Sequence, residues 1–416
     1  MSVDVVVVGA GLAGLTAALR VAEQGMKVVV VTNGVGSLHL GGATIDVLGY
    51  APERVDAPGR ALPDFVAQAP EHPYARLRDG LIADSIEWLK AASGELGFSG
   101  GLEKNMLLPT AVGAAKPTAV APASMANGDL RNGGRYAVVG LPALKDFYAS
   151  YAADNLNRSA PEITARALHI TPPVGREADP GPVRLARHFD DVEFRKAVIR
   201  ELEGQVELGE KVAFPAILGL EDGPTAWREL QDGLGVEVFE VATLPPSIPG
   251  IRLWNVLRVA LRRAGGRIVT GPVATGIQVE SGSVTSVVAD TGARPHEYPA
   301  RHFVLATGGV ATGGIELDSR WRFTETVFGL PVHGAPAAGE ARFSPRYFDT
   351  HPASAVGVAV DGLLRPVDEE GGVVYDNLHA VGATIAGAEP WREKSGNGIS
   401  LATGYAAAEA VLGSEA

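Results

Sequence analysis

The hydrophobic pattern opens on a run with no polar break, Val5 to Val8. Four β-branched residues in a row are too few for a helix and predict a strand buried on both faces, as in a parallel sheet. Residues 12–22 then switch to helical spacing, Gly25 closes that helix, and residues 27–31 form a second apolar run. The opening of the chain therefore predicts a β-α-β unit. Farther on, residues 81–92 carry one apolar stripe and predict an amphipathic helix. Residues 141–155 predict another, with Leu-Pro near its first turn. Between them, residues 107–123 are interrupted by Pro and Gly and read as an extended loop. A basic stretch at 184–187 leads into a helix over 189–203, read as a solvent-facing surface.

The second half of the chain turns back to strands. Residues 243–253 hold three prolines and a glycine, a rigid lead into a helix that ends at Arg263, before Gly265 and Gly266. Short strands are predicted at 267–269, 274–280 and 284–290. They are followed by a strand over 301–309 ending in Ala-Thr-Gly-Gly, and by one over 377–382. Ser395 precedes a last helix rich in small residues.

Glycines at the first turn give the pattern its chemistry. Gly9, Gly11 and Gly14 fill a G-x-G-x-x-G spacing between a strand and a helix, the context that this motif requires. The first glycine serves a tight turn, the second leaves room for a pyrophosphate, and the third lets helix and strand pack closely. Backbone N–H groups at the helix start would face the phosphate. A nucleotide or flavin site is thus expected on Gly9, Ala10, Gly11, Leu12, Ala13 and Gly14. The competing reading is a glycine turn with no ligand, in a chain that has 52 glycines. Thr32 and Asn33 stand where such folds usually place the Asp or Glu that binds the adenosine ribose.

Other stretches extend this candidate site. The loop after the second strand, residues 34–42, has small residues, Gly41 and Gly42 among them, that would let backbone approach a flavin ring, and His39 sits in it. Ala306, Thr307 and Gly308 end a central strand, Gly382 ends another, and Gly396, Asn397, Gly398 and Ile399 open the last helix. The positive end of that helix would stabilise negative charge on a reduced flavin. Its competing reading is a turn before a packing helix.

Composition narrows the partners. At 416 residues the chain exceeds one compact unit, and two are expected. A net charge of −12 argues against nucleic acid. No cysteine is present, which removes disulfides, thiol catalysis and thiolate-held iron-sulfur clusters from this chain, and no metal site is expected. No window approaches a membrane span of roughly 20 apolar residues, and the first strand has no basic flank, so a soluble cytoplasmic chain without a signal peptide is expected. The fold expected is α/β, a two-domain flavoprotein. A Rossmann-like, glutathione-reductase-type nucleotide-binding domain is drawn from 1–50, 250–310 and 365–416, and a capping or substrate domain from 51–249 and 311–364.

Leu38-His39 with Gly41-Gly42 and Ile45-Asp46, His72-Pro-Tyr, residues 142–147, the Thr-Leu-Pro-Pro-Ser-x-x-Gly-Ile-Arg-Leu block at 243–253 and the Gly396-Asn-Gly end resemble the B subunit of the anaerobic glycerol-3-phosphate dehydrogenases. The resemblance runs through nearly the whole chain. It implies oxidation of sn-glycerol 3-phosphate to dihydroxyacetone phosphate, with electrons passed to the quinone pool. It further implies two partners, a larger FAD-binding catalytic subunit and a membrane-associated iron-sulfur subunit, which would hold this chain at the inner face of the membrane. The family's usual cofactor for the B subunit is FMN, in keeping with the missing acid at Thr32-Asn33; FAD is the alternative. Flavoprotein subunits of succinate dehydrogenase and fumarate reductase carry a similar His before a Gly-Gly pair, bonded covalently to flavin. For His39, covalent attachment, a contact with flavin and an ordinary loop position all stay open.

Oxidising a secondary alcohol requires a base, a phosphate clamp and a flavin face. His39 or His351 is the expected base, and Arg252, Arg342 or Lys394 the expected clamp; the plain alternative for each is a surface ion pair. Three further readings compete: an electron relay that leaves oxidation to the larger FAD-binding partner, a scaffold without cofactor, and a free-standing fumarate-reductase-like enzyme using Arg342, Arg346 and His351.

Overall fold

The computed structural model describes residues 3–160, 162–174, 180–347 and 349–415. Strand Val3–Val8 lies inside a seven-stranded sheet, in parallel register with Val28–Thr32 on one side and Pro295–Leu305 on the other. Arg267–Thr270 extends the parallel part beyond Val28–Thr32. Antiparallel strands Ser283–Asp290 and Val273–Glu280 add to the first half of Pro295–Leu305, and Leu378–Ala380 pairs in parallel with its last residues. Val5 to Val8 are at most 3 % exposed, which is why the run has no polar alternation. Helix Leu12–Ala22 covers the sheet and is itself covered by the last helix, Gly396–Gly413. Small residues allow this: a Cβ on Gly404 would lie 2.4 Å from the Ala13 carbonyl oxygen.

A second parallel sheet, not expected from the sequence, occupies residues 134–241. Its strand order is Val238–Val241, Glu210–Pro215, Gly134–Gly140, Ile163–His169, all parallel. Helices Ala149–Ser159, Pro182–Phe189, Val192–Leu202 and Gly223–Leu234 make the crossovers. Its buried apolar residues, from Leu130 to Ile248, form a core of their own. The first core takes in Leu62, Tyr74, Ile86 and Val120 as well as Phe328, Val356 and Val358, so parts of 51–120 and 311–364 pack with the seven-stranded sheet.

Several local expectations are met, and others are corrected. Helices Leu12–Ala22 and Leu81–Ala92 stand where predicted. The helix expected over 141–155 starts only at Ala149. Leu141, Leu144 and Phe147 are buried through two successive turns, closed by Leu144 N–H to Leu141 O and Phe147 N–H to Leu144 O. Three-residue turns put apolar residues at a spacing that imitates a helix. The loop expected over 107–123 contains an antiparallel hairpin, Met106–Pro109 with Ala115–Thr118, turned at Gly113 with φ +74°. The helix expected over 189–203 runs from Val192 to Leu202: Phe189 ends a preceding helix, Asp191 caps the new one by accepting from Glu193 N–H, and Arg195 is buried against Glu229 and the Phe189 carbonyl, not solvent-facing. Among the described residues, no helix is long and apolar enough to cross a membrane.

His379, on the short strand Leu378–Ala380, donates from Nδ1 to the Leu363 carbonyl at 2.8 Å. Burial holds its pKa down at about 4, against 6.5 for a free imidazole. The unfolded chain therefore takes up a proton near pH 6.5 that the folded chain refuses until about pH 4. Stability present above this window is lost as pH falls through it, by about 3 kcal/mol at 1.36 kcal/mol per unit. His379→Asn, which can still donate to Leu363, should flatten the dependence of denaturant midpoint on pH between 6.5 and 4.

Candidate functional site

The loop between the first strand and first helix opens into a cleft of about 490 Å³. Each glycine of the motif takes the role its spacing predicts. Gly9 has φ +111°, and a Cβ there would lie 2.3 Å from the Ala306 carbonyl oxygen. Gly11 faces open space, with nothing within 4 Å of an added Cβ. At Gly14 a Cβ would lie 2.1 Å from the Gly9 carbonyl oxygen, so the helix can cross the strand only without one. No side chain caps the helix start at Gly11, which leaves its first N–H groups facing the cleft.

Other elements hold the cleft's walls. Trp254, on helix Ile248–Arg263, donates its indole N–H to the Ala10 carbonyl at 3.2 Å and fixes the glycine loop from behind. Thr403 of the last helix accepts from Gly382 N–H at 2.8 Å, and Thr384 accepts from Gly308 N–H at 3.0 Å. The buried Glu325 carboxylate accepts from Val327 and Phe328 N–H and holds the 326–330 turn at the rim; burial keeps its pKa raised against the pull of these bonds. Thr307, on the cleft wall, has a buried hydroxyl with no hydrogen-bond partner among the described residues. An open glycine loop, unfilled helix N–H groups and an orphaned hydroxyl suit a phosphate-bearing ring cofactor such as a flavin.

Of the residues expected at a cofactor, Gly9, Ala10, Gly11, Leu12, Ala13, Thr32, Asn33, Ala306, Thr307, Gly308 and Gly382 line this cleft, and Gly14 packs behind it. The Thr32 hydroxyl is spent within its own loop, donating to the Gly34 carbonyl at 2.6 Å. Asn33 is exposed at the cleft, and Pro272, Val273 and Ala274 continue the wall past it. Gly41, Gly42, Gly396, Asn397, Gly398 and Ile399 do not line it. The start of the last helix is tied instead to the 44–47 loop, through Asn397 to the Thr44 carbonyl and Gly398 N–H to the Asp46 carbonyl. Gly36, Ser37 and Leu40, from the 34–42 loop expected near a flavin, line the cleft in place of Gly41 and Gly42, and Ser400 takes the position expected of Asn397. Thr326, Val327 and Ala383 also line it and were missed in the sequence, which carries no local signal for them.

The expected catalytic side chains are not brought together. His39 packs edge-on against Trp254, 5.6 Å between ring centres, outside the cleft, with its Nε2 buried and without a hydrogen-bond partner among the described residues. Burial lowers its pKa. Arg252 is buried and engaged at every nitrogen, bonding Glu240 at 2.7 and 3.1 Å, the Gly219 carbonyl at 2.7 Å and the Leu218 carbonyl at 2.7 Å. The anion clamp expected of Arg252 is thereby corrected: its anion is the chain's own Glu240. His351 accepts from Ser344 N–H at Nδ1 and meets the Tyr347 carbonyl at Nε2, so neither nitrogen is left to act as a base. Arg342 lies over the Trp321 ring. Lys394 is held by the Trp391 carbonyl, and the His351 ring lies tilted against Trp391, 5.3 Å between ring centres, so these two share a neighbourhood. Beside them, residues 389–394 and helix Pro58–Gln68 border a second cavity of about 950 Å³.

Known proteins share this arrangement of sequence. Residues 4–399 match the family described as FAD binding domain. A Halobacterium salinarum protein named as the probable B subunit of anaerobic glycerol-3-phosphate dehydrogenase is 33% identical over 420 aligned positions, covering 98% of this chain and 97% of that protein. The anaerobic glycerol-3-phosphate dehydrogenase B subunit of Pectobacterium atrosepticum is 31% identical, covering 99% of each. Among solved structures, 3-ketosteroid delta1-dehydrogenase from Sterolibacterium denitrificans aligns over 99% of this chain and 100% of that one, at 12% identity and a TM-score of 0.48.

Proposed function

Since the chain belongs to the FAD binding domain family and, within it, to the family of anaerobic glycerol-3-phosphate dehydrogenase B subunits, we propose that it is the flavin-bearing B subunit of such a dehydrogenase. The complex oxidises sn-glycerol 3-phosphate to dihydroxyacetone phosphate. The observation that carries this reading is the cleft at Gly9, Gly11 and Gly14, where the tight turn, the open space and the close packing each fall on the glycine that a pyrophosphate-binding loop requires. A flavin bound there supplies a hydride acceptor for alcohol oxidation. The chain's own part is to hold the phosphates on the first-helix N–H groups, to offer the Thr307 hydroxyl and Ser400 to the ring system, and to keep the 326–330 turn in place through Glu325.

FAD is the form favoured here over FMN. The wall at Pro272, Val273 and Ala274 continues beyond the glycine loop, giving an adenosine half somewhere to lie, with the Asn33 amide in place of the missing acid. The partners proposed are a larger catalytic subunit with its own FAD and an iron-sulfur subunit that holds the assembly at the inner face of the membrane. A chain with no cysteine leaves any thiolate-held cluster to another polypeptide.

A second reading has its own support. Neither His39 nor His351 lines the cleft, which favours relay of electrons from the larger catalytic partner without oxidation of substrate on this chain. Denaturing the purified chain and identifying the released chromophore by mass tests the cofactor: FAD is expected, FMN would reverse the choice, and no flavin after reconstitution with partner subunits would end the flavoprotein reading. Dye reduction by the isolated chain with glycerol 3-phosphate separates dehydrogenase from relay.

A further inference from the structure

Asp46 and Thr44 lie on the loop that leads away from the cleft, and Lys394 lies just before the last helix; the Asn397 side chain joins the two segments through the Thr44 carbonyl at 2.8 Å. From the hairpin, Lys116 reaches into the same place. Its ammonium is 2.7 Å from the Asp46 carboxylate and donates to the Thr44 hydroxyl at 2.8 Å. The other Asp46 oxygen accepts from the Thr118 hydroxyl. The only carboxylate in the group is thus taken up by Lys116 and Thr118.

Lys394 is placed beside this pair with no carboxylate of its own. Its backbone is left-handed, φ +52°, a conformation that costs a non-glycine residue stability and is held by its surroundings. Gly49 lies against it so closely that a Cβ there would be 2.9 Å from the Lys394 Cβ. Among the described residues its ammonium donates only to the Trp391 carbonyl, at 2.6 Å, leaving two of its three donors unused. Burial, and then repulsion from the nearby Lys116 ammonium, lower its pKa against the attraction of the Asp46 carboxylate. Close to the Lys394 ammonium, two cationic groups stand against the one Asp46 carboxylate, a local excess of positive charge in a partly desolvated place.

Lys394 also lines the 950 Å³ cavity, whose walls include Tyr50, Phe65 and Trp391. The other charged groups there are largely committed. Glu389 is held by Arg392 and the His351 N–H, Glu393 by His72 and Ser395, and Asp64 lies on the exposed side.

We propose that Lys394, on the wall of this cavity, forms with the neighbouring Lys116 an anion subsite that holds the phosphate end of a phosphorylated polyol entering through the cavity. The inference rests on the glycerol 3-phosphate reading for the identity of the ligand, but not for the existence of the anion site. A phosphate monoester carries close to two negative charges at pH 7, enough to neutralise the excess charge and take the unused ammonium donors.

Binding of inorganic phosphate, glycerol 3-phosphate and glycerol to the full chain by titration calorimetry, with flavin content read separately from absorbance, tests the subsite. Both phosphates should compete for one site, and glycerol alone should not occupy it. Lys394→Met leaves no carboxylate unpaired, so it should fold normally and weaken both phosphates at least tenfold with flavin content unchanged. Asp46→Asn, which can still accept from Thr118, should tighten them several-fold, a change that a merely structural ion pair would not produce. Equal binding by wild type and Lys394→Met overturns the proposal, as does a flavin-loaded wild type that binds neither phosphate. A wild type that binds phosphate through Lys394 yet holds no flavin would keep the subsite and reject the proposed function.

Discussion

Gly11→Val should give a folded chain that has lost its flavin, while Gly9→Ala should lose the flavin and part of the fold together. Gly11 has φ −73°, an ordinary value for any residue, and an added Cβ meets nothing within 4 Å. A valine there fills only the space that a pyrophosphate would take. Thermal stability measured without cofactor should match wild type, and flavin content after reconstitution should fall at least tenfold. At Gly9, an alanine meets the Ala306 carbonyl oxygen at 2.3 Å in a backbone conformation with φ +111°. The backbone alone costs about 1–3 kcal/mol for a residue with a side chain, and relieving the overlap requires the 306–308 turn to move from the opposite wall. The pair of variants separates two roles that a single glycine substitution confuses. Full flavin occupancy in Gly11→Val would show that the cofactor lies elsewhere.

The second large effect concerns Arg252. Arg252→Met should destabilise the protein by about 3–5 kcal/mol, because it leaves the Glu240 carboxylate buried without its counter-charge. The Glu240 side chain is fully buried and the Arg252 side chain 6 % exposed. Glu240 also accepts from the Ser124 hydroxyl at 2.8 Å and Leu218 N–H at 2.9 Å, so one carboxylate joins the helix behind the glycine loop to the second sheet. Glu240→Gln added to Arg252→Met should recover much of the loss, since the amide still accepts and carries no charge. Urea unfolding of wild type, both single variants and the double variant gives the coupling. Were Arg252 a substrate clamp, the single variant would keep its stability and raise KM; the structure expects stability to fall and KM of the folded fraction to hold.

Arg252 also shows why some of the site was hidden in the sequence. An arginine after a proline-rich lead into a helix suggests anion binding by local rules, and those rules are right about the helix: Ser247 caps it, accepting from Gly250 N–H, and Pro249 sits in its first turn. They cannot place Glu240 and the Leu218 and Gly219 carbonyls, which arrive from another sheet. Lys116 is a stronger case. It stands in a stretch read as loop, and its partner Thr44 lies 72 residues earlier. Periodicity has no view of that distance. The second parallel sheet escaped in part because turns at Leu141, Leu144 and Phe147, directly after its strand Gly134–Gly140, imitate helical spacing.

What the sequence determined by itself was the first β-α-β unit, the tight turn, open space and close packing at Gly9, Gly11 and Gly14, the return of a central strand that ends at Leu305, and the small-residue last helix. In each of these the physical constraint is local: an unbroken apolar run admits only a buried strand, and a Cβ of any kind is excluded where helix and strand touch. Tertiary structure decided which of the charged residues are spent and which remain available. Arg252 and His351 are used up by partners remote in the chain or folded back upon it, and Ser400 takes the place expected of Asn397. Lys394 retains unused donors beside a second lysine. Charge acts over a few ångströms through space, so its consequences are set by which segments the fold brings together, and that neighbourhood is not written in any one segment.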